Sequence, residues 1–463
     1  MKLYGIEIEI KNKPELDPGF IPMGLFNRAF LKDAAKPVAL AVERADGQMA
    51  RIDTFIHGTE EFKEADLFYI ERVVKTILWM KGGFRVYTDD AGIAKYLQDA
   101  YSKSGLRQFD CEFMADIYER PFEVILTGNV PQAKDSPKAM GGHIEGCRIG
   151  FDAGGSDRKV SAVIDGETVY SEEVVWSPKL QSDPSYHYNG IVAAFKSAAE
   201  HLPRVDAVGI SSAGIYINNR TMSASLFREV PRDLYDSKVK NIYQRAVQDT
   251  FRDVPYCVIN DGDVSALAGS MSIGEGSVLG IAMGTSEAGG FVDEEKRITG
   301  WLNELAFVPV DAAPDAMTDD WSGDRGCGSK YFSQDSVIKL APRAGITLFN
   351  GLSPAEKLKV VQALMADEDP RAVKVYESIG VYLAHTLAYY YELYSCRHVL
   401  LLGRVMSGRG GDIILSECER VLADEYPELS GRMKAELPDE KFRRVGQSMA
   451  AASLPEIRKA DQA

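Results

Sequence analysis

Carboxylates and small residues stand where predicted strands end, a pattern typical of phosphate and metal binding. Asp152 follows the apolar run CRIGF and is itself followed by Ala153, Gly154, Gly155 and Ser156. Adjacent glycines let the backbone approach a phosphate closely, a hydroxyl adds a donor, and a carboxylate at a strand end can hold hydrated Mg²⁺. The alternative interpretation is a hairpin turn with an incidental aspartate.

A second small-residue turn, formed by Gly284, Thr285 and Ser286, again joins two apolar runs. Its hydroxyls and backbone amides suit the outer phosphates of a nucleotide. Turns of Gly, Ser and Thr are common in hairpins, so this motif alone is weak evidence. Two such turns at equivalent places in a repeated pattern are a stronger indication.

Between the two turns, the strand YCVIN delivers Asn260 and Asp261 to the same predicted edge. An acceptor hydroxyl needs a base within hydrogen-bond reach, and an aspartate at a strand end can serve as that base. The alternative is that Asp261 caps the helix VSALAGS. Asp263 is the better cap by position, which leaves Asp261 for chemistry.

A fourth segment, from Gly403 to Gly408, follows the strand VLLLG and precedes the helix DIILSECERVL. A glycine-containing loop of this kind can lie flat against an adenine ring. A plain strand-to-helix loop is the alternative interpretation.

The elements that must position these residues follow a repeated order. CRIGFDAGGSDRKVSAVIDGETVYSEEVV predicts strand, turn, strand, turn and strand, and SVLGIAMGTSEAGGFVDEEKRITGW repeats that order. Helices and the strands AVGISS and YCVIN lie between the two copies. Strands alternating with helices predict mostly parallel sheets, and such sheets bind ligands at the carboxyl ends of their strands.

Composition limits the class of protein. The 463 residues, 45% of them hydrophobic and 26% charged, indicate a globular protein of two or three domains. The net charge of −15 argues against nucleic acid as the main partner. The start MKLYGIEIEI lacks the features of a signal peptide, and no run approaches ~18 apolar residues, so we expect a cytoplasmic protein without a membrane partner. The six cysteines are scattered without a CxxC pair, which indicates reduced thiols.

The motifs together resemble those of the ROK family of bacterial sugar kinases. DAGGS is similar to the family's DxGGT, INDGD to NDAN, MGTSEAGGFV to GTGxGGG, and LLLGRVMSG to LGGGVS. All four occur in the family's order, so the resemblance extends from about Cys147 to the C-terminus. It implies an α/β fold with a duplicated actin-like (ribonuclease H-like) two-lobed ATPase core.

The resemblance also implies ATP and Mg²⁺, with a small-molecule sugar as acceptor. Asp261 would be the base that activates the sugar hydroxyl, and Asn260, Glu304 and Gly214 would contact the sugar. Asp152 would hold Mg²⁺ through water. The residues expected to bind the nucleotide are Asp152, Gly154, Gly155, Ser156, Gly284, Thr285, Ser286, Gly403 and Gly408.

Domain limits follow from these assignments. We predict an N-terminal α/β domain over 1–145, a first ATPase lobe over 146–256 plus 441–463, and a second lobe over 257–440. The unpatterned segment from Gln132 to Gly146 marks the first boundary. Three predicted strands, then helix, strand and helix, make a degenerate actin-like half one interpretation of the N-terminal domain. The sequence leaves the oligomeric state open, a homodimer included.

Four departures from the family pattern affect the sugar site, the zinc cluster and the phosphate loop. The family's ExGH motif falls on Glu304 to Phe307, so the glutamate is kept and the histidine is lost. The zinc cluster CxCGxxGC falls on 320–327, where Cys327 alone remains, and Ser329 replaces a sugar-binding glutamate. A tetrahedral zinc site needs four ligands, so we predict no zinc, although the glycines of the loop persist. Ser286 replaces a glycine of the phosphate loop.

Three hypotheses follow for the activity. The first is an ATP-dependent sugar kinase, and the second is a sugar- or nucleotide-binding sensor that has lost turnover. The lost histidine and zinc ligands favour the sensor, whereas the retained Asp152, Asn260, Asp261 and Glu304 favour the kinase. A DNA-binding regulator is a third hypothesis, which the α/β pattern of the first 145 residues disfavours because it lacks a compact basic helix-turn-helix.

Overall fold

The computed structural model of the chain describes residues 1–136, 140–438 and 440–457, with the backbone alone for 440–445. Residues 137–139 of the predicted boundary segment therefore lie outside the described residues. The strands are β1 (Lys2–Leu3), β2 (Ile6–Glu7), β3 (Lys36–Glu43), β4 (Met49–Ile56), β5 (Arg85–Thr88), β6 (Glu123–Leu126), β7 (Cys147–Ala153), β8 (Asp157–Ile164), β9 (Glu167–Val175), β10 (Ala207–Ser212), β11 (Ile215–Ile217), β12 (Arg220–Ser223), β13 (Tyr256–Asn260), β14 (Val278–Met283), β15 (Glu287–Val292), β16 (His398–Leu402) and β17 (Lys434–Glu436). The helices are α1 (Met23–Leu31), α2 (Lys63–Met80), α3 (Ala91–Ala100), α4 (Gln108–Tyr118), α5 (Pro184–Ala199), α6 (Arg232–Leu234), α7 (Ile242–Phe251), α8 (Asp261–Ile273), α9 (Gln334–Arg343), α10 (Pro354–Ala366), α11 (Pro370–Tyr394), α12 (Arg409–Glu425) and α13 (Glu440–Ala452).

The chain divides into two compact units that we describe separately. The first unit comprises Met1–Ser136, Ile281–Gly289 and Trp301–Leu437. The second unit comprises the described residues of Pro137–Gly280, Gly290–Gly300 and Pro438–Ala463. The N-terminal residues thus group with much of the predicted second lobe, and residues 257–280 group with the predicted first lobe.

The second unit contains a five-stranded sheet with the order β13-β10-β7-β8-β9. Strands β7, β10 and β13 are parallel, whereas β8 is antiparallel to β7 and to β9. Side chains of β7 and β10 such as Ile149, Phe151 and Ile210 form a buried core with Phe195 of α5 and Tyr243 of α7. Because β7, β10 and β13 run in one direction, their carboxyl ends lie at one edge of the sheet.

Helix α13 lies directly on the other face of this sheet. A Cβ atom at Gly150 would lie 1.7 Å from the carbonyl oxygen of Ser448, and one at Gly209 would lie 1.6 Å from that of Ala451. Glycine is therefore required in the middle of both strands, since any side chain would displace the helix. This packing explains why the C-terminal helix belongs to the second unit, as does α8, which contacts α13.

The first unit contains one complete four-stranded sheet and part of a second, namely β16, β17, residues 281–283 of β14 and residues 287–289 of β15. The N-terminal sheet has the order β4-β3-β5-β6, with β3 antiparallel to both β4 and β5 and with β5 parallel to β6. The other has the order β15-β14-β16-β17. In the five-stranded sheet, the first and fourth strands along the chain, β7 and β10, are parallel. In the N-terminal sheet the first and fourth strands, β3 and β6, run in opposite directions, so the two sheets differ in their strand directions.

Buried contacts tie the N-terminal residues to the rest of the first unit. Helix α1 packs on α11, and the Asp17 carboxylate accepts hydrogen bonds from Lys339 and from Tyr382, each at 2.5 Å. The main-chain amide of Ile21 donates a 3.0 Å hydrogen bond to the Asp311 carboxylate. These contacts are the physical reason that residues 1–136 group with 301–437.

Two predicted strands are not formed. KLYGIEIEI gives only the short pair β1 and β2, and RITGW gives no third strand after β15 but one isolated bridge between Val292 and Ile298. The Asp293 side chain accepts hydrogen bonds from the main chain and side chain of Arg297, so a tight turn replaces the strand. No helix among the described residues is both long and apolar enough to cross a membrane.

Candidate functional site

Asp152 stands near the carboxyl end of β7 as a buried side chain, 6% exposed. Its Oδ1 accepts a 2.7 Å hydrogen bond from Ser211, the residue opposite it in β10. Burial and the nearby charge of Asp261 raise the pKa of Asp152, whereas the hydrogen bond from Ser211 lowers it. The result is a pKa of about 6. An added positive charge would therefore stabilise the ionised form.

The turn after Asp152 is held by the side chains of later residues. Trp176 donates a 2.8 Å hydrogen bond from Nε1 to the carbonyl oxygen of Gly154. A Cβ atom at Gly155 would lie 2.8 Å from the Nζ of Lys179, so an ammonium group sits directly over this turn. The Ser156 hydroxyl is exposed and donates to the adjacent Asp157 carboxylate at 3.0 Å.

Asn260 and Gly214 are brought together, as expected for residues of one site. The Asn260 Nδ2 donates a 2.7 Å hydrogen bond to the Gly214 carbonyl oxygen, and its Oδ1 accepts one of 2.7 Å from the Gly262 amide. Asn260 is thus the N-cap of α8. The cap predicted at Asp263 is wrong because the helix begins earlier, and the Asp263 carboxylate instead accepts a 3.0 Å bond from the Phe291 amide.

Asp261 opens α8 as a partly exposed side chain at the carboxyl end of β13. Burial raises its pKa, against the opposing effects of the Gly262 amide and of the Lys179 charge. Asp261 therefore lies close enough to Asp152 and to Lys179 for their charges to interact with its own. Sequence reasoning missed Lys179 because no local pattern connects the short turn Pro178–Leu180 with the ends of β7 and β13.

The predicted phosphate turn in the first unit is internally bonded. The Gly284 amide donates to the Ser286 carbonyl oxygen at 3.0 Å, and the Gly284 carbonyl oxygen accepts from the Gln334 amide at 2.9 Å. Thr285 and Ser286 are exposed, so their hydroxyls remain accessible.

The loop after β16 lies against the start of this turn. Gly403 has φ +94°, and a Cβ atom there would lie 2.3 Å from the Met283 carbonyl oxygen, so only glycine fits. Gly408, at φ +67°, precedes α12 as its N-cap. The structure therefore brings Gly403 next to the Gly284 turn within the first unit.

Glu304 is held by the N-terminal region. Its amide donates a 2.9 Å hydrogen bond to the carbonyl oxygen of Trp79, and the amide of Asn303 donates one of 2.9 Å to that of Met80. Both acceptors belong to the last turn of α2, whose final carbonyls have no partner inside the helix. Helix α2 thus fixes the backbone that carries Glu304.

An aromatic cluster occupies the position where the family has a histidine. The Phe307 ring lies 4.2 Å from that of Trp79 and 5.6 Å from that of Phe109, measured between centroids. Phe113 completes the cluster. Phe307 is therefore a packing residue within the first unit.

A buried ion-pair network lies in the loop on which the family's zinc cluster would fall. Asp324 contacts Arg72 at 2.9 Å, Lys75 at 3.3 Å and Arg107 at 2.7 Å. Although burial opposes ionisation, Arg72 and Lys75 hold the pKa of Asp324 below its usual value. Burial raises the pKa of the neighbouring Cys327 thiol, which disfavours a metal-binding thiolate.

Asp319 stabilises the same loop. Its carboxylate accepts hydrogen bonds from the amide and hydroxyl of Ser322 at 2.7 and 2.8 Å, and from the Ser329 hydroxyl at 3.2 Å. Ser329 is thus engaged inside the loop. Among the side chains that the structure describes, those of 1–136, 140–438 and 446–457, no group of three or more His, Cys, Asp or Glu could hold a metal ion.

The predicted nucleotide residues divide between the two units. Asp152, Gly154, Gly155 and Ser156 belong to the second unit, together with Gly214, Asn260 and Asp261. The first unit contains Gly284, Thr285, Ser286, Glu304, Gly403 and Gly408.

Comparisons with known proteins agree with this fold. A family model described as the ROK family matches residues 148–436. The ROK hexokinase from Thermus thermophilus is 18% identical in sequence and superimposes with a TM-score of 0.52. The match covers 66% of this chain and 96% of the hexokinase chain. A ROK family transcriptional regulator, a homologue of the E. coli MLC protein, is 16% identical, with a TM-score of 0.53 over 67% of this chain and 79% of its own.

A ROK family glucokinase from Streptomyces griseus, solved with glucose and AMPPNP, is 21% identical, with a TM-score of 0.49 over 66% of this chain and 98% of its own. No curated protein matches the chain. The hexokinase and the regulator share the fold, so the predicted α/β class, an actin-like core with an additional N-terminal α/β region, is confirmed.

Proposed function

The chain belongs to the ROK family, and from this premise we propose that it is an ATP-dependent kinase that phosphorylates a hydroxyl of a sugar or sugar derivative. The family contains both sugar kinases and transcriptional regulators, so membership alone does not decide the activity. The observation that carries the proposal is the placement of Asp261 at the carboxyl end of β13, with Asp152 and Lys179 close to it.

Asp261 is the proposed general base. Burial raises its pKa, which brings a carboxylate closer to the pH at which a base works best. In the proposed reaction the acceptor hydroxyl gives its proton to Asp261 as its oxygen bonds to the γ-phosphorus. The bond from that phosphorus to the β–γ bridging oxygen breaks, and ADP leaves with the electron pair.

Asp152 is the proposed residue for Mg²⁺, which it would hold through water. The fit rests on its buried carboxyl and raised pKa, because a cation nearby would favour the ionised form. When bound, Mg²⁺ neutralises negative charge on the phosphates. Lys179 would add a second positive charge beside the Gly155 turn.

The remaining nucleotide contacts are proposed at the exposed hydroxyls of Thr285 and Ser286 and at the loop from Gly403 to Gly408. Asn260, Gly214 and Glu304 are proposed to contact the sugar. Both ends of the Asn260 amide are already bonded, so it has one N–H and one lone pair left for a ligand. Asn260 would therefore position the acceptor with a single bond at each end.

A non-catalytic sugar or nucleotide sensor is the second candidate. Phe307 and Ser329 favour it. Phe307 packs in an aromatic cluster and Ser329 donates a hydrogen bond to Asp319, so neither is available to bind a sugar as the family's histidine and glutamate would.

The cytoplasmic location, the lack of a nucleic-acid partner and the homodimer stay predictions.

Two measurements test the proposal. Saturating Mg·ATP is expected to stabilise the protein by about 2.7 kcal/mol at 100 times its dissociation constant, seen as a higher melting temperature. A panel of hexoses and amino sugars is then assayed for ADP release. No thermal shift with Mg·ATP would contradict nucleotide binding, whereas sugar binding without any ADP release would favour the sensor.

A further inference from the structure

A cavity of about 380 Å³ lies inside the first unit, where the N-terminal region that precedes the family-matched residues meets Trp301 and the end of α11. Residues of α1, β4, α2 and α11 line it, and Trp301 closes one side. Small-molecule sites typically enclose ~300–1,000 Å³, with apolar walls and a few polar groups. The volume therefore suits a small organic molecule.

Asn27 supplies an unsatisfied acceptor in the wall of this cavity. The residue is 6% exposed, and its Oδ1 accepts no hydrogen bond from any residue that the structure describes. Leaving a buried amide oxygen unpaired costs free energy, so such groups normally have a partner. A hydroxyl or amine group of a ligand would provide that partner.

The hydroxyls of Thr76 and Tyr389, 3.0 Å apart, line the cavity as well. Thr76 also donates to the Arg72 carbonyl oxygen at 2.8 Å, so this pair is held rigidly. Asn27, Thr76 and Tyr389 together form the uncharged polar part of the lining.

Lys81 supplies a positive charge without a matching carboxylate. Its Nζ lies 4.1 Å from the ring centroid of Trp301, and among the described residues no carboxylate oxygen lies within 4.0 Å of it. The other charged side chains of the lining are paired, Arg51 with Asp53 and Glu392 with Arg28. Burial lowers the pKa of Lys81, although the charge of Asp135, which lies beyond ion-pair distance, raises it.

The walls between these polar groups are apolar and aromatic. Ile77 and Met80 of α2, and Tyr69 and Tyr394, line the cavity together with Trp301. Flat side chains of this kind favour a ring in the ligand.

We propose that this cavity is a second ligand site that binds a small organic acid with an apolar ring and a hydroxyl group. The hydroxyl donates to the Asn27 Oδ1, the acid group pairs with Lys81, and the ring packs against the apolar wall. The inference rests on these contacts and not on the proposed kinase activity.

The probe for this site is 4-hydroxyphenylacetate, titrated into the full-length protein by calorimetry. We expect one molecule bound per chain. Phenylacetate, which lacks the hydroxyl, and 4-hydroxyphenethyl alcohol, which lacks the carboxylate, are each expected to bind at least about tenfold more weakly, since each loses one hydrogen bond to a buried or charged group. No binding of 4-hydroxyphenylacetate at millimolar concentration would overturn the proposal.

Two variants locate the binding. Asn27→Leu is expected to weaken binding at least about tenfold while keeping or raising the melting temperature, because it removes an unsatisfied polar group. Lys81→Met, which keeps a long side chain, is expected to weaken binding similarly, and Lys95→Met on the surface of α3 is the matched control. Binding that survives both cavity variants, or that Lys95→Met weakens equally, would overturn the assignment. If Asn27→Leu does not fold, Lys81→Met decides.

Discussion

Asn260 and Gly214 are joined by a 2.7 Å hydrogen bond from the side-chain amide to the main-chain carbonyl. The same Asn260 side chain caps α8 through the Gly262 amide. The cap and the bond to Gly214 hold the backbone on both sides of Asp261, so its carboxylate is positioned without being consumed as the cap.

Asp261→Asn is expected to separate binding from chemistry. The substitution keeps the shape of the side chain and removes the proton acceptor, so turnover should fall by roughly 10²–10⁴-fold while Mg·ATP and sugar still bind. Steady-state ADP release and calorimetry measure the two effects. Asp253→Asn, at an exposed position of the same unit, is the control. A rate like that of the wild type in folded Asp261→Asn would remove the catalytic assignment.

Asp152→Asn is expected to raise the free energy of unfolding at pH 7 and to weaken the binding of Mg·ATP. The pKa of the Asp152 carboxyl is about 6 in the folded protein, above its ordinary value of 3.8. Its contribution to stability is therefore full below pH 3.8 and is lost as the pH rises through about 6. The variant should therefore exceed the wild type in stability at pH 7 by on the order of 2–3 kcal/mol, and by little at pH 4.

Urea denaturation at the two pH values measures this difference. The stabilisation by Mg·ATP should meanwhile decrease in Asp152→Asn. A variant that binds Mg·ATP as the wild type does would show that Asp152 has no part in holding the metal.

Asp324→Asn is expected to destabilise the protein by about 3–5 kcal/mol. Arg72, Lys75 and Arg107 are balanced by three carboxylates, those of Asp324, Glu71 and Asp110, so removing one leaves a buried positive charge uncompensated. Asp320→Asn is the matched control in the same loop, since Asp320 is 88% exposed and pairs at the surface with Lys330. The control should change stability by less than about 1 kcal/mol. Equal effects in chemical denaturation would contradict a structural role for the network.

Purified protein is expected to contain no stoichiometric zinc and to keep its fold in chelator. The physical reason is that Phe307, Asp320 and Ser322 stand where the family has ligands. Phe307 packs among aromatic rings, Asp320 pairs with Lys330, and the Ser322 hydroxyl donates to Asp319, while Cys327 is a buried thiol. Elemental analysis and circular dichroism with and without chelator measure the outcome. One zinc ion per chain would show that a site exists which these side chains do not reveal.

Gly403→Ala is expected to destabilise the protein by at least about 1–3 kcal/mol, because its φ of +94° disfavours a side chain and the new Cβ would meet the Met283 carbonyl oxygen. The displaced loop should also weaken Mg·ATP binding. Gly351→Ala, which has no atom within 4 Å of the added Cβ, is the control. Unchanged melting temperature and nucleotide affinity in Gly403→Ala would contradict this contact.

The sequence predicted the parts of the fold that depend on local pattern. The bounds of β4, β10 and β13 agree with the predicted runs, since period, length and flanking turn residues determine them. The same reasoning predicted the N-cap of α8 at Asp263, three residues later than the observed cap at Asn260. Asparagine and aspartate are both good caps, and the end of β13 at Asn260 determines where the helix begins.

The rest depends on pairs that are distant in the chain. Arg72 and Asp324 are 252 residues apart, and nothing in the local pattern of either predicts the other. Lys179 likewise reaches Gly155 from a separate turn. Such contacts follow from tertiary packing, so a motif can indicate that zinc ligands are missing but not what has replaced them.

The hydrogen bonds between the end of α2 and the amides of Asn303 and Glu304 make the rest of the first unit dependent on the N-terminal region. A chain shortened by deletion to the family-matched residues would lose the partners of both amides, expose the Phe307 ring and leave Asp324 without Arg72 and Lys75. The N-terminal extension is therefore not a detachable module. Evolution or engineering could remove it only by rebuilding the loop from residue 303 to residue 327 at the same time.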